Sequence, residues 1–128
     1  MYVVYILKSD NKSYIGMTND FLRRWKQHNG YLSGGAKYTT SYKKYWEPLC
    51  IIDGFTTKSE AMQCEWRLKR KKGYLHRLQN LAKLLVSNTQ WTKQSPLIQS
   101  QKLTIYVIEK YKSLLSISIA ILSTESCT

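Results

Sequence analysis

The sequence predicts an α/β domain, and three observations carry that prediction. Short runs of β-branched and aromatic residues alternate with stretches of helical periodicity, and turn or capping residues separate them. Tyr2 to Leu7 forms the first strand and Ser13 to Met17 the second. The polar segment Lys8 to Lys12, with Asp10 and Asn11, turns between them as a hairpin. Thr18 or Asn19 can cap a helix starting near Asp20. Phe21, Leu22 and Trp25 give that helix an apolar stripe, and Asn29-Gly30 stops it. Residues 31 to 45, "YLSGGAKYTTSYKKY", read as an exposed loop.

Pro48 opens a third strand, "PLCIIDGF", which Asp53-Gly54 ends. Thr57 and Glu60 make a capping box, so a second helix is expected from Lys58 to Lys72, with Ala61, Cys64 and Leu68 facing the core. Gly73 breaks it. "YLHRLQNLAKLL" repeats leucine at 75, 78, 81 and 85 and predicts a third, amphipathic helix. Residues 87–102 are rich in Ser, Thr, Gln and Asn and read as a polar linker. Residues 103–128 form a C-terminal extension, apolar but of mixed period.

Composition narrows the function. The 128 residues suit one domain, and 43% hydrophobic content can build a core. The net charge of +12 points to a polyanionic partner, nucleic acid before an anionic membrane. Sixteen of the 20 Lys+Arg fall in residues 1–86, so the first two thirds form the basic module. "MYVVYILKSD" lacks the basic start of a signal peptide, and "LLSISIAILS" is too short to span a bilayer. Cys50, Cys64 and Cys127 are odd in number and far apart, which favours neither a disulfide framework nor zinc. An intracellular, soluble protein, cytoplasmic or nuclear and not secreted, is expected.

Within the module Tyr5, Tyr14, Arg24, His28 and Glu65 stand out. Taken singly each has an ordinary reading: strand tyrosines fill half-buried positions, and Arg24, His28 and Glu65 suit a solvated or neutralised surface. Arg24 and His28, four apart, share one helical face. Phosphodiester cleavage needs a cation for the phosphate, a base for the water and a Lewis acid for the leaving oxygen. Arginine suits the first, a tyrosine or histidine the second, and a carboxylate holding a hydrated divalent ion the third.

The opening resembles the GIY-YIG nuclease superfamily. "VYI" at Val4 to Ile6 stands where the family has GIY, with Val4 in place of glycine, and "YIG" at Tyr14 to Gly16 is intact. The likeness continues through "RRWKQHNG" and "GFTTKSEAMQCEW", so it covers roughly residues 1–75. It is most similar to the single-domain and junction-cutting branch. The zinc-binding domain that follows in junction-cutting relatives is not expected here, because no cysteine cluster follows.

The resemblance implies a small three-stranded, mainly antiparallel sheet flanked by helices, with a nuclease domain over residues 1–86. It implies a metal-dependent DNA endonuclease acting on double-stranded, branched or flapped DNA in repair or recombination. Tyr5 and Tyr14 would line the site, one of them as general base; Arg24 would stabilise phosphate charge and His28 assist proton transfer. Glu65 would bind one Mg²⁺ or Mn²⁺, and Gly16 would let the backbone pass close to the site. Asn80 is the nearest match to an asparagine that the family places after the glutamate helix.

Lys37, Tyr38, Lys43, Lys44, Arg67, Lys69 and Arg70 are candidates for tracking the DNA backbone, with an ordinary solubilising surface as their alternative. The competing function is a non-catalytic nucleic-acid-binding module on a nuclease-like fold; that all five key positions are filled speaks against it.

Overall fold

The computed structural model describes residues 1–41, 45–116 and 123–126, the side chains of 37, 41, 116 and 123–126 excepted. The two-residue period of a strand divides β1 (Tyr2–Ser9) between two buried clusters. Val4 and Ile6 join the larger one, whereas Tyr5 and Leu7 face the other way. β2 (Lys12–Thr18) pairs antiparallel with β1 and sets Tyr5 opposite Gly16 and Leu7 opposite Tyr14. β3 (Glu47–Phe55) lies antiparallel on the other side of β1.

The expected α/β layer with a mainly antiparallel sheet is present, and the sheet has five strands instead of three, in the order β2-β1-β3-β4-β5. β4 (Thr104–Val107) is antiparallel to β3, and β5 (Ser123–Ser126) is parallel to β4. β4 alternates buried Ile105 and Val107 with half-buried Thr104 and Tyr106. Four residues are too few for that alternation to stand out in a mixed apolar segment.

Asp20 itself caps α1 (Phe21–His28), its carboxylate accepting from the Arg23 amide at 3.2 Å, while Thr18 accepts from the Asp20 amide. The stretch expected to be an exposed loop contains a short helix, α2 (Lys37–Ser41), with Thr39 buried. α3 (Lys58–Leu68) begins at the Thr57 cap, whose hydroxyl accepts from the Glu60 amide at 3.1 Å. The Glu60 carboxylate takes the Thr56 hydroxyl at 3.0 Å. α3 stops at Leu68, where its core-facing positions end and four consecutive cations begin. α4 (Tyr74–Val86) follows the leucine repeat, with Leu78, Leu81 and Leu85 buried and Leu75 exposed.

α3 and α4 cover the face of the sheet that carries Val4, Ile6 and Ile15. Two residues of the polar segment 87–102, Trp91 and Ile98, are fully buried in the same cluster. Trp91 packs on Phe55, with ring centroids 6.4 Å apart, and its backbone carbonyl accepts from Arg67 at 3.2 Å. Leu115 of α5 (Lys112–Ser116) completes the cluster. Cys50 and Cys64 are buried and form no disulfide, and Cys127 lies outside the described residues. Among the described residues no helix is long and apolar enough to cross a membrane.

Candidate active site

The opposite face of the sheet is built differently. Its fully buried residues are Tyr5, Leu7 and Trp46, with Tyr14, Phe21 and Trp25 packed around them. Tyr5 is 1% exposed, yet its hydroxyl has a polar partner, as a buried phenol requires. It lies 2.8 Å from His28 Nε2. His28, also buried, places Nδ1 2.6 Å from the Thr39 hydroxyl. Thr39 in turn donates its single proton to the Ala36 carbonyl at 3.0 Å.

Those bonds determine the tautomer. With the Thr39 proton committed to Ala36, His28 Nδ1–H must donate to Thr39, which leaves Nε2 as the acceptor of the Tyr5 O–H. Burial and then the Arg24 charge lower the His28 pKa from its ordinary value to about 4. The imidazole is therefore neutral at physiological pH. Burial, reinforced by Tyr14, pushes the Tyr5 phenol well above its usual range, and the adjacent Arg24 offsets this only in part.

Close packing explains Gly16. A Cβ on Gly16 would lie 2.6 Å from Tyr5 Cζ, closer still to the Tyr5 oxygen, and 3.1 Å from the Tyr14 ring. Glycine in "YIG" thus makes room for the buried end of the tyrosine across the hairpin. Tyr14 then covers the imidazole, with ring centroids 4.7 Å apart.

Arg24 is half-buried and held from one side. Its Nη1 donates to the Gly34 carbonyl at 2.7 Å and to Gln27 Oε1 at 3.0 Å. The Gly34-Gly35 pair permits this, since a Cβ on Gly35 would collide with the Gln27 carbonyl. Asn29 fixes the far end of the loop: its amide accepts from the Trp46 amide at 2.7 Å and donates to the Trp46 carbonyl at 3.0 Å. The Trp46 indole donates to the Thr39 carbonyl at 3.1 Å.

Tyr5, Tyr14, Arg24 and His28 are therefore brought together. Glu65 comes from α3, across the sheet; its charge acts on Tyr5 and raises that phenol further. One Glu65 oxygen lies 3.5 Å from Lys69 Nζ, a partly exposed i,i+4 pair. At that length the pair is weaker than a direct charged hydrogen bond and leaves the carboxylate available to a harder cation. No group of three His, Cys, Asp or Glu side chains able to hold a metal occurs among the described residues. A single carboxylate nevertheless fits an ion that retains most of its water, as Mg²⁺ does.

The candidate DNA contacts are dispersed. Tyr38 stacks on Tyr14 at 6.2 Å beside the site, and Lys69 lies one turn beyond Glu65. Arg67 is bonded to Trp91, and Arg70 lies over the Trp66 ring at 4.5 Å. Asn80 lines a pocket with Arg67 and His76, separate from Tyr14. Lys43, Lys44 and the side chain of Lys37 lie outside the described residues. Sequence reasoning did not single out Thr39 and read Asn29 only as a helix stop; the glycine pair before Thr39 was the available signal that this stretch folds back onto α1.

A family model described as the GIY-YIG catalytic domain matches residues 1–79. The structure-specific endonuclease subunit SLX1 of Phaeosphaeria nodorum is 47% identical over 68 residues, 51% of this chain and 19% of that protein. The corresponding subunit of Talaromyces marneffei is 46% identical over 69 residues, 51% of this chain and 18% of its own. That of Schizosaccharomyces japonicus is 44% identical over 69 residues, 51% of this chain and 25% of its own. The chain thus spans a quarter or less of the length of these relatives. The family match covers more than half of the chain and includes Tyr5, Tyr14, Arg24, His28 and Glu65, and on that ground the chain belongs to the GIY-YIG family.

Proposed function

We propose that this chain is a metal-dependent DNA endonuclease that hydrolyses phosphodiester bonds in branched or flapped DNA. The observation that carries this reading is the chain of hydrogen bonds from Tyr5 through His28 to Thr39, set beside Arg24. The names of the relatives, structure-specific endonuclease subunits, supply the substrate class and point to a partner subunit.

In this reading Tyr5 is a relay and not a resting phenolate, because its raised pKa keeps the proton on oxygen. As water attacks phosphorus, its proton passes to the Tyr5 oxygen while the phenolic proton moves to His28 Nε2. The imidazolium formed keeps its Nδ1–H on Thr39. Arg24, which depresses the His28 pKa in the absence of DNA, meets the negative phosphate; that charge offsets its effect on His28 just when His28 must accept a proton. Its guanidinium, braced by Gly34 and Gln27, stabilises charge on the phosphoryl oxygens. Tyr14 closes the site over the imidazole. Glu65 would hold one divalent cation, Mg²⁺ or Mn²⁺, which when bound neutralises charge at the leaving oxygen.

The test is cleavage of labelled duplex, flap and four-way-junction DNA in Mg²⁺, Mn²⁺ and EDTA, with Glu65→Ala alongside. The expected result is metal-dependent cutting that ranks branched above plain duplex DNA and vanishes in Glu65→Ala. Salt-sensitive binding without cutting in either metal would overturn the enzyme and leave a binding module.

A further inference from the structure

β2 is the outer strand of the sheet among the described residues, so the layer holding Tyr5 and the layer formed by α3 and α4 meet along its outer edge. A cleft of about 690 Å³ runs there. Tyr14 and Tyr38 reach it from the catalytic face, Lys69 and Lys72 from the end of α3 and just beyond it, Arg77 from α4, and Lys12 from β2 itself. Among the described residues four cations and no carboxylate line the cleft.

Arg77 is what makes this more than scattered surface lysines. It is half-buried and fixed at two points: Nη1 donates to the Ser13 hydroxyl at 2.8 Å and Nε to the Lys71 carbonyl at 2.8 Å. Both partners are neutral oxygens, so its charge is not cancelled by them. A rigid guanidinium with donors to spare recognises phosphate oxygens better than a mobile ammonium. Two of its lining residues adjoin the candidate site: Tyr14 covers His28, and Lys69 lies one helical turn beyond Glu65.

We propose that this cleft holds the sugar–phosphate backbone of the DNA strand on one side of the cut, with Arg77 as its fixed anchor and Lys72 and Lys12 as neighbouring phosphate contacts. The proposal rests on the nuclease reading above and extends it to the path of the strand. It assigns binding here to backbone charge, which carries no sequence information and suits recognition of DNA by its structure. The competing explanation is that the cations only guard an exposed strand edge against pairing with other chains.

The two explanations differ in salt dependence. Binding of a fluorescent flap DNA would be titrated in EDTA across a range of KCl concentrations, for the full chain and for Arg77→Gln, Lys72→Gln and Lys102→Gln. Lys102 is exposed and is not among the residues lining the cleft. Each cleft variant should reduce the magnitude of the slope of log K against log salt by about 1, and Lys102→Gln should leave it unchanged. In Mg²⁺ the cleft variants should raise KM and leave kcat within about twofold, the signature of contacts kept from ground state to transition state.

Arg77→Gln also removes a bond to Ser13, so Lys72→Gln carries the test if the arginine variant does not fold. Unchanged slopes in a chain that binds and cuts would overturn the cleft and leave the nuclease standing. An equal loss in Lys102→Gln would overturn it too, by reducing the effect to net charge. A wild type that neither binds nor cuts would remove the nuclease reading and the cleft together.

Discussion

The two faces of the sheet use the same strands for opposite ends. On one face Val4, Ile6, Ile15 and Ile52 meet Cys64, Leu81 and Trp91 in an apolar cluster, where burial of area is the main contribution. On the other, Tyr5 and His28 are as deeply buried, but each burial is tolerable only because a named partner takes a specific proton. One face gains stability from volume and the other from complete hydrogen bonding. The first should accept changes of similar size, and the second should fail when one donor or acceptor is lost. The proposed function draws on the second, where the packing leaves a neutral imidazole and a protonated phenol beside an arginine.

The largest effect expected from this contrast is on the apolar side. Trp91→Ala should cost about 3–5 kcal/mol in chemical denaturation, because the ring is fully buried against Phe55. A loss under about 1 kcal/mol would mean that residues 87–102 do not contribute to the core.

Acid tests the polar side. The His28 pKa is about 4 in the folded chain and near 6.5 once unfolded, so the unfolded chain binds more protons between those values. Stability should therefore be complete above about pH 6.5 and fall on acidification until the pH passes about 4, by about 3 kcal/mol. His28→Gln should flatten that part of the curve; an identical acid profile in the variant would place the titration elsewhere.

Gly16→Ala forces a methyl group into the buried end of Tyr5 and should cost about 1–3 kcal/mol. Combining it with Tyr5→Phe should recover part of that loss, since the closest contact is with the hydroxyl. Strictly additive losses in the double-variant cycle would contradict the direct clash.

The smallest effect sharpens the comparison most. Thr39→Val keeps size but deprives His28 Nδ1–H of its acceptor, at about 1–2 kcal/mol. Nitrogen NMR of His28 should show the Nδ1–H tautomer in the wild type and a mixture in the variant, with cutting reduced more than stability alone explains. A wild-type imidazole carrying its proton on Nε2 would reverse the assignment of the Tyr5–His28 bond.

The hairpin, the helix beginning near Asp20, the Thr57 cap and the leucine repeat of α4 were legible because their signals are local, set by strand alternation, capping and helical period, although the cap of α1 is Asp20 and not Thr18 or Asn19. The candidate site residues in the "VYI", "YIG", "RRWKQH" and "CEW" blocks each sit on one of these regular elements. β4 was not legible, since its four residues are too few for their alternation to stand out in a mixed apolar segment. Nor was the burial of Thr39, which depends on Asn29 and Trp46 closing a loop against α1.

By itself the sequence determined the hairpin, the third strand, the three longer helices and the chemical inventory: a basic chain with two hairpin tyrosines, an arginine and histidine on one helical turn, and a glutamate in a later helix. The tertiary structure alone decided which nitrogen of His28 accepts, why Gly16 must lack a side chain, and that β2 forms an edge lined with cations. Those properties arise from distances between residues remote in the chain, and protons and charges respond to distance in space, not to spacing in sequence.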